Sequence, residues 1–157
     1  MNTQNKQILI IWIVLLIAIG SVIGSLTKPE INIWYSTLNR SLLTPPNYIF
    51  PIAWTILYGI IGACGWLIWR FHRFMKLSFI KNLYITQLIL NWTWTPLFFH
   101  YHLTALSLIV LCAMDIMVGA IIWLSYRKIK SVSVLMTPYL LWILFATYLN
   151  FYIWQYN

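Results

Sequence analysis

Apolar residues run through this chain in long, nearly unbroken stretches, and polar residues gather in the gaps between them. A helix needs about 20 apolar residues to cross a hydrocarbon core. Five stretches approach or exceed that length: Ile8 to Leu26, Pro46 to Trp69, Asn82 to His100, Thr104 to Tyr126 and Val132 to Trp154. They predict an all-α integral membrane protein, a five-transmembrane-helix bundle in which residues 1–157 form one domain. A long first loop, Thr27 to Pro45, is left over, with short connections at Arg70 to Lys81, Tyr101 to Leu103 and Arg127 to Ser131. Inside that loop Pro45-Pro46 stops any helix arriving from Arg40, while Pro46 suits the first turn of the next helix.

The composition agrees, since 62% hydrophobic and 8% charged residues exclude a soluble globular domain. The first apolar run follows Lys6 but is longer than the apolar region of a signal peptide and ends without a small-x-small cleavage site, so it reads as a retained helix. Lys6, Arg70, Arg73, Lys76, Lys81, Arg127, Lys128 and Lys130 fall on one side of the predicted spans, and Lys28 and Arg40 on the other. Cations concentrate on the cytoplasmic side, so the N-terminus is expected there, with the first loop and the C-terminus outside. A net charge of +8 held at helix ends, without a basic groove, gives no basis for nucleic-acid binding and leaves attraction to anionic lipid heads. Cys64 and Cys112 lie mid-span and read as reduced packing residues, and no metal framework is implied.

Ten Trp and ten Tyr exceed what a plain anchor requires. Small residues allow helices to approach in lipid, so Gly20-x-x-x-Gly24 and the series Gly59, Gly62 and Gly65 predict close contacts, within the bundle or between subunits. Asp115 lies midway along the fourth span, where an ionisable group costs on the order of 3 kcal/mol. Two readings stand for it: a hydrogen-bonded carboxyl that locks helices, or a proton or substrate relay. Gln87 and Asn91 are four apart on one helical face, as are Trp142, Ala146 and Asn150. Each set describes either helix packing or the wall of a slot for a flat apolar molecule. His100 and His102 lack a third ligand at metal-binding spacing and read as an interfacial pair.

Several of these residues fall into an ordered pattern. It runs Trp34-Tyr35-x-x-Leu38-x-Arg40, then Pro45-Pro46-x-x-x-Phe50-x-x-x-Trp54-x-x-x-Tyr58, then Asn91-x-x-Trp94-x-x-x-Phe98-Phe99, then Pro138-Tyr139-x-x-Trp142-x-x-Phe145-Ala146-x-x-Leu149-Asn150. The pattern spans essentially the whole chain and resembles the tryptophan-rich sensory protein family, also called the translocator protein or peripheral benzodiazepine receptor family. That resemblance implies a five-helix bundle, usually a homodimer, that binds tetrapyrroles such as protoporphyrin IX or haem, with sterols, lipids and benzodiazepine-type ligands bound by various members. It implies a pocket beneath the first loop lined by Tyr35, Trp54, Asn91, Trp142, Ala146 and Asn150, with Gln87 at a position where some relatives have Asn. A porphyrin is a flat aromatic plate with two carboxylates on one edge, so Trp54 and Trp142 could stack on it while Arg40, Tyr35 or Asn91 meets the carboxylates. It also implies a light-dependent porphyrin breakdown in some bacterial members, through tryptophans at the positions of Trp54 and Trp142. The chain departs from the family where Ser41 follows Arg40, many members having Lys-Pro. No basic residue follows Tyr152, which removes the sterol consensus of animal members.

Read together, these features give a receptor or carrier for porphyrin-type ligands that needs no resident cofactor and sits in a bacterial inner membrane. The alternatives are a porphyrin-degrading photo-enzyme using Trp54 and Trp142, and a small transporter coupled through Asp115. Against an enzyme stands the lack of an acid-base pair, nucleophile or metal cluster in the spans.

Overall fold

The computed structural model describes residues 3–71 and 77–157. Arg73 and Lys76, counted above among the cytoplasmic cations, lie outside the described residues. Five helices carry the chain: α1 (Thr3–Ile33), α2 (Ile49–Phe71), α3 (Ser78–Phe99), α4 (Thr104–Tyr126) and α5 (Lys130–Tyr156), with a single 3-10 turn at Tyr35–Thr37. No strand occurs among the described residues. Four of the helices, α1, α2, α4 and α5, are long and apolar enough to cross a membrane. α3 has 22 residues, and its polar positions keep it below the apolarity of the others. Two of those positions, Gln87 and Asn91, are fully buried inside the bundle, while Asn82, Thr86 and Thr93 are exposed.

The largest departure from the sequence reading is at the end of α1. The apolar run stops at Leu26, yet the helix continues through Pro29 to Ile33, so the loop spans 34–48 rather than Thr27 to Pro45. Hydropathy marks where a helix leaves lipid, not where it ends. At a rise of 1.5 Å per residue, the 31 residues of α1 extend about 46 Å, well beyond a hydrocarbon core of roughly 30 Å. Pro29 removes one backbone donor without ending the helix, and the Trp34 N–H still donates to the Glu30 carbonyl at 3.0 Å. α2 also starts later than expected. Pro46 lies in the turn before it, its carbonyl accepting from the Ile49 N–H at 2.9 Å, and Pro51 takes the first-turn position where a missing N–H has no helical partner to lose.

Around the bundle α1 packs on α2 and α3, α2 on α5, α5 on α4 and α4 on α3. The core is formed by buried side chains such as Ile61, Tyr84, Met114, Val118, Ile121, Met136, Tyr139 and Ile143. Gly62 sets the α1/α2 separation, because a Cβ there would meet the α1 backbone at Ile13 Cα, 2.9 Å away. Gly20 is covered by the Tyr58 ring, whereas a Cβ at Gly24, one turn on, would meet nothing within 4 Å. Cys64 is buried in the core as expected, but Cys112 lies exposed on the outer face of α4 and is not a core packing residue.

Candidate ligand-binding cavity

The open space beside Gly24 belongs to a cavity of about 600 Å³, bounded by the end of α1, the first loop, α2, α3 and α5. Small-molecule sites range over roughly 300–1,000 Å³. One wall is aromatic. The rings of Trp54 and Trp94 are 6.4 Å apart with planes 32° from parallel, Trp94 stacks on Phe98 at 5.5 Å, and Trp54 lies 5.6 Å from Tyr58. α1 contributes a small and polar face to the lining: Ser21, Gly24, Ser25, Lys28, Asn32 and then Tyr35 of the turn beyond it. Spacings of three and four put these residues on one side of a continuous helix.

Tyr35 forms the roof, 5% exposed and packed on Phe98 and Phe99 at 6.2 and 5.6 Å. Burial pushes its phenol pKa up, and the Arg40 guanidinium, 5.2 Å from the ring centroid, offsets part of that rise. The loop is held to the end of α5. The Asn39 N–H donates to Asn157 Oδ1 at 2.8 Å, Asn157 Nδ2 donates to the Asn39 carbonyl at 3.2 Å, and the hydroxyls of Ser41 and Tyr148 meet at 2.8 Å. On the other flank Trp34 stacks on His102 at 4.0 Å, and His102 Nε2 lies 3.4 Å from Glu30 Oε2. His102 reaches this position with a φ of 56°, the left-handed region that a non-glycine residue enters only when its surroundings hold it.

Beneath the cavity a buried polar chain links three helices. The Tyr58 hydroxyl donates to Asn91 Oδ1 (2.6 Å), Asn91 Nδ2 donates to Tyr139 Oη (3.0 Å), and the Tyr139 hydroxyl donates to Gln87 Oε1 (2.9 Å). Asn150 is a second tie. Its Oδ1 accepts from Trp94 Nε1 at 3.2 Å and from Ser107 Oγ at 2.9 Å, and its Nδ2 donates to the Thr104 carbonyl at 2.8 Å. The Asn150 amide therefore fixes the Trp94 indole that walls the cavity.

Of the residues proposed from sequence, Tyr35, Trp54, Ala146 and Asn150 line the cavity together. Asn91 and Gln87 lie behind that lining, in the chain that starts at the wall residue Tyr58. Trp142 packs against the edge of Phe50 at 6.1 Å, behind the wall, and Arg40 covers Tyr35 from the loop side. Asp115 is not part of the cavity lining: the Thr147 hydroxyl donates to its Oδ2 at 2.7 Å across the α4/α5 contact. Sequence reasoning missed Lys28 and Asn32 because it ended α1 at Leu26. The signal was present in their helical register with Ser21, Gly24 and Ser25.

The model of the TspO/MBR family matches residues 12–155. The chain belongs to the TspO/MBR family. It is 38% identical to a tryptophan-rich protein TspO of Archaeoglobus fulgidus over 98% of this chain and 99% of that protein. It is 36% identical to a tryptophan-rich sensory protein of Cereibacter sphaeroides over 82% and 78% of the two chains, and 33% identical to the translocator protein of Bos taurus over 91% and 86%. With four helices apolar enough to cross a bilayer, this TspO/MBR member is an integral membrane protein.

Proposed function

We propose that this TspO/MBR protein is a membrane receptor or carrier that binds a porphyrin-type tetrapyrrole, such as protoporphyrin IX or haem, in the cavity beneath its first loop. Benzodiazepine-type ligands share the site in this reading. The observation that carries it is the pairing of a continuous aromatic wall, Trp54, Trp94 and Phe98, with a polar α1 face in one cavity of about 600 Å³. A porphyrin is a broad aromatic plate with two carboxylates on one edge, so it needs stacking surface on one side and polar groups at the mouth.

α3 serves as the fifth span in this reading, its 22 residues covering about 33 Å with the amides of Gln87 and Asn91 turned inward. An odd number of crossings places the termini on opposite sides. The hydrogen bonds between Asn39 and Asn157 keep the first loop and the C-terminus on one side, and the cation bias makes that side the outer one. The bacterial inner membrane and a homodimeric state complete the proposal. A light-driven porphyrin-degrading activity is the second reading, favoured by the position of Trp54 in the wall, where an excited porphyrin would meet an oxidisable indole.

Titration of the detergent-solubilised protein with protoporphyrin IX in the dark, followed by tryptophan quenching, tests the proposal. Saturable binding is expected, with a weaker midpoint for Trp54→Phe and a smaller change for Trp142→Phe, whose indole lies behind Phe50. Non-saturable quenching, or midpoints indifferent to Trp54, would count against it. Illumination of the same samples then separates the two readings, since only the photo-enzyme consumes porphyrin with turnover that falls in Trp54→Phe.

A further inference from the structure

Lys28 is the only formally charged side chain among the described residues that line the cavity. It stands on α1 one turn before Asn32 and two turns before Tyr35, and all three line the cavity that Trp54, Trp94 and Phe98 also line. Among the described residues its ammonium makes no ion pair, the one carboxylate nearby in sequence, Glu30, being turned to His102. Arg40, the other cation on this side of the bundle, lies over the Tyr35 ring and outside the cavity lining.

We propose that Lys28 is the residue that selects for charge, so that the cavity takes a flat apolar ligand bearing a carboxylate, with the carboxylate held at the mouth by the Lys28 ammonium and the Asn32 amide. This rests on the cavity being the ligand site. The aromatic wall accepts any flat ring system and supplies affinity without discrimination. One cation opposed by no anion makes the mouth favour an anionic edge over a neutral one. Lys28 is exposed, so its attraction is partly screened and falls with ionic strength.

Protoporphyrin IX and its dimethyl ester, which keeps the ring and removes both charges, are the probes. Each is titrated in uncharged detergent, where no lipid phosphate competes for the ammonium, against wild type, Lys28→Gln, Lys28→Arg and Trp54→Phe. Lys28→Gln is expected to bind the diacid about tenfold more weakly, the loss of one charge-assisted hydrogen bond, while its ester affinity stays at the wild-type value. Lys28→Arg restores diacid binding, and added salt weakens the diacid on wild type but not on Lys28→Gln. Unchanged diacid affinity in Lys28→Gln overturns the proposal, and so does an equal loss for diacid and ester, which marks a structural role. Failure of the cavity reading looks different. Both ligands would then ignore Trp54→Phe, and the role of Lys28 would fall with the site.

Discussion

Asn91 uses both ends of its amide inside the bundle, accepting from Tyr58 and donating to Tyr139. Hydrogen bonds between membrane helices contribute about 0.6 kcal/mol each on average. Asn91→Leu, which leaves the Tyr58 hydroxyl without its acceptor and removes the bond that Tyr139 accepts, is therefore expected to cost about 1–2 kcal/mol. Gln87 contributes one accepted bond, and its Nε2 has no partner among the described residues, so Gln87→Met is expected to cost less than Asn91→Leu. Thermal unfolding of the two variants in the same detergent gives the order, and an equal or reversed order would show that the chain is not arranged as described. Spacing alone placed Gln87 and Asn91 on one inward face. It could not name their partners, Tyr58 and Tyr139, which arrive from other helices. Spacing also grouped Trp142 with Ala146 and Asn150. Trp142 does share their side of α5, but it lies one turn before Ala146, the first α5 residue of the lining, and its ring packs on Phe50 instead.

At the level of elements, the α1/α2 contact and the continued end of α1 shape the cavity. Gly62 lets the two helices approach so closely that an added methyl would fall 2.9 Å from Ile13 Cα and 3.0 Å from the Trp12 carbonyl oxygen. Gly62→Ala is expected to push α1 outward and destabilise the fold by about 1–3 kcal/mol, read as a lower unfolding temperature. An unchanged unfolding temperature would mean that α1 is not seated against α2 here. The roof depends on the contact between the loop and α5. Asn157→Ala removes both of its hydrogen bonds to Asn39 and is expected to raise amide exchange at 38–41 and speed ligand release, with little effect on exchange in the core. Four of the five helix positions were legible to within a few residues because apolar runs and membrane thickness set them together. The end of α1 was not, since beyond Leu26 the helix leaves lipid and hydropathy no longer reports on it. That one boundary concealed Lys28 and Asn32.

For the whole molecule, the hydrogen bonds between Asn39 and Asn157 put the first loop and the C-terminus at one end of the bundle, and the proposed orientation of that end rests on the cation bias. Single cysteines at Asn39 and at Lys128, in a Cys64→Ala/Cys112→Ala background, are expected to react with an impermeant maleimide from outside intact cells and only after lysis, respectively. Labelling of both from one side would break the five-span reading. Membership of the TspO/MBR family was legible from the ordered motifs, because they recur from Trp34 to Asn150 along the chain. The three-dimensional sorting of those motifs into an aromatic wall, a buried polar chain and a loop clip was not legible, since each joins residues from separate helices. Gly24 separates cavity from core at this scale: it faces the open space, and leucine there raises helix propensity while filling the pocket. Occupation of the cavity is tested most directly by titrating wild type and Gly24→Leu with protoporphyrin IX in the dark. A cavity site predicts saturable binding to wild type, at least about tenfold weaker binding to Gly24→Leu, and an unfolding temperature of the unliganded variant no lower than that of wild type. Equal affinity in the two proteins would place the ligand elsewhere and contradict the site.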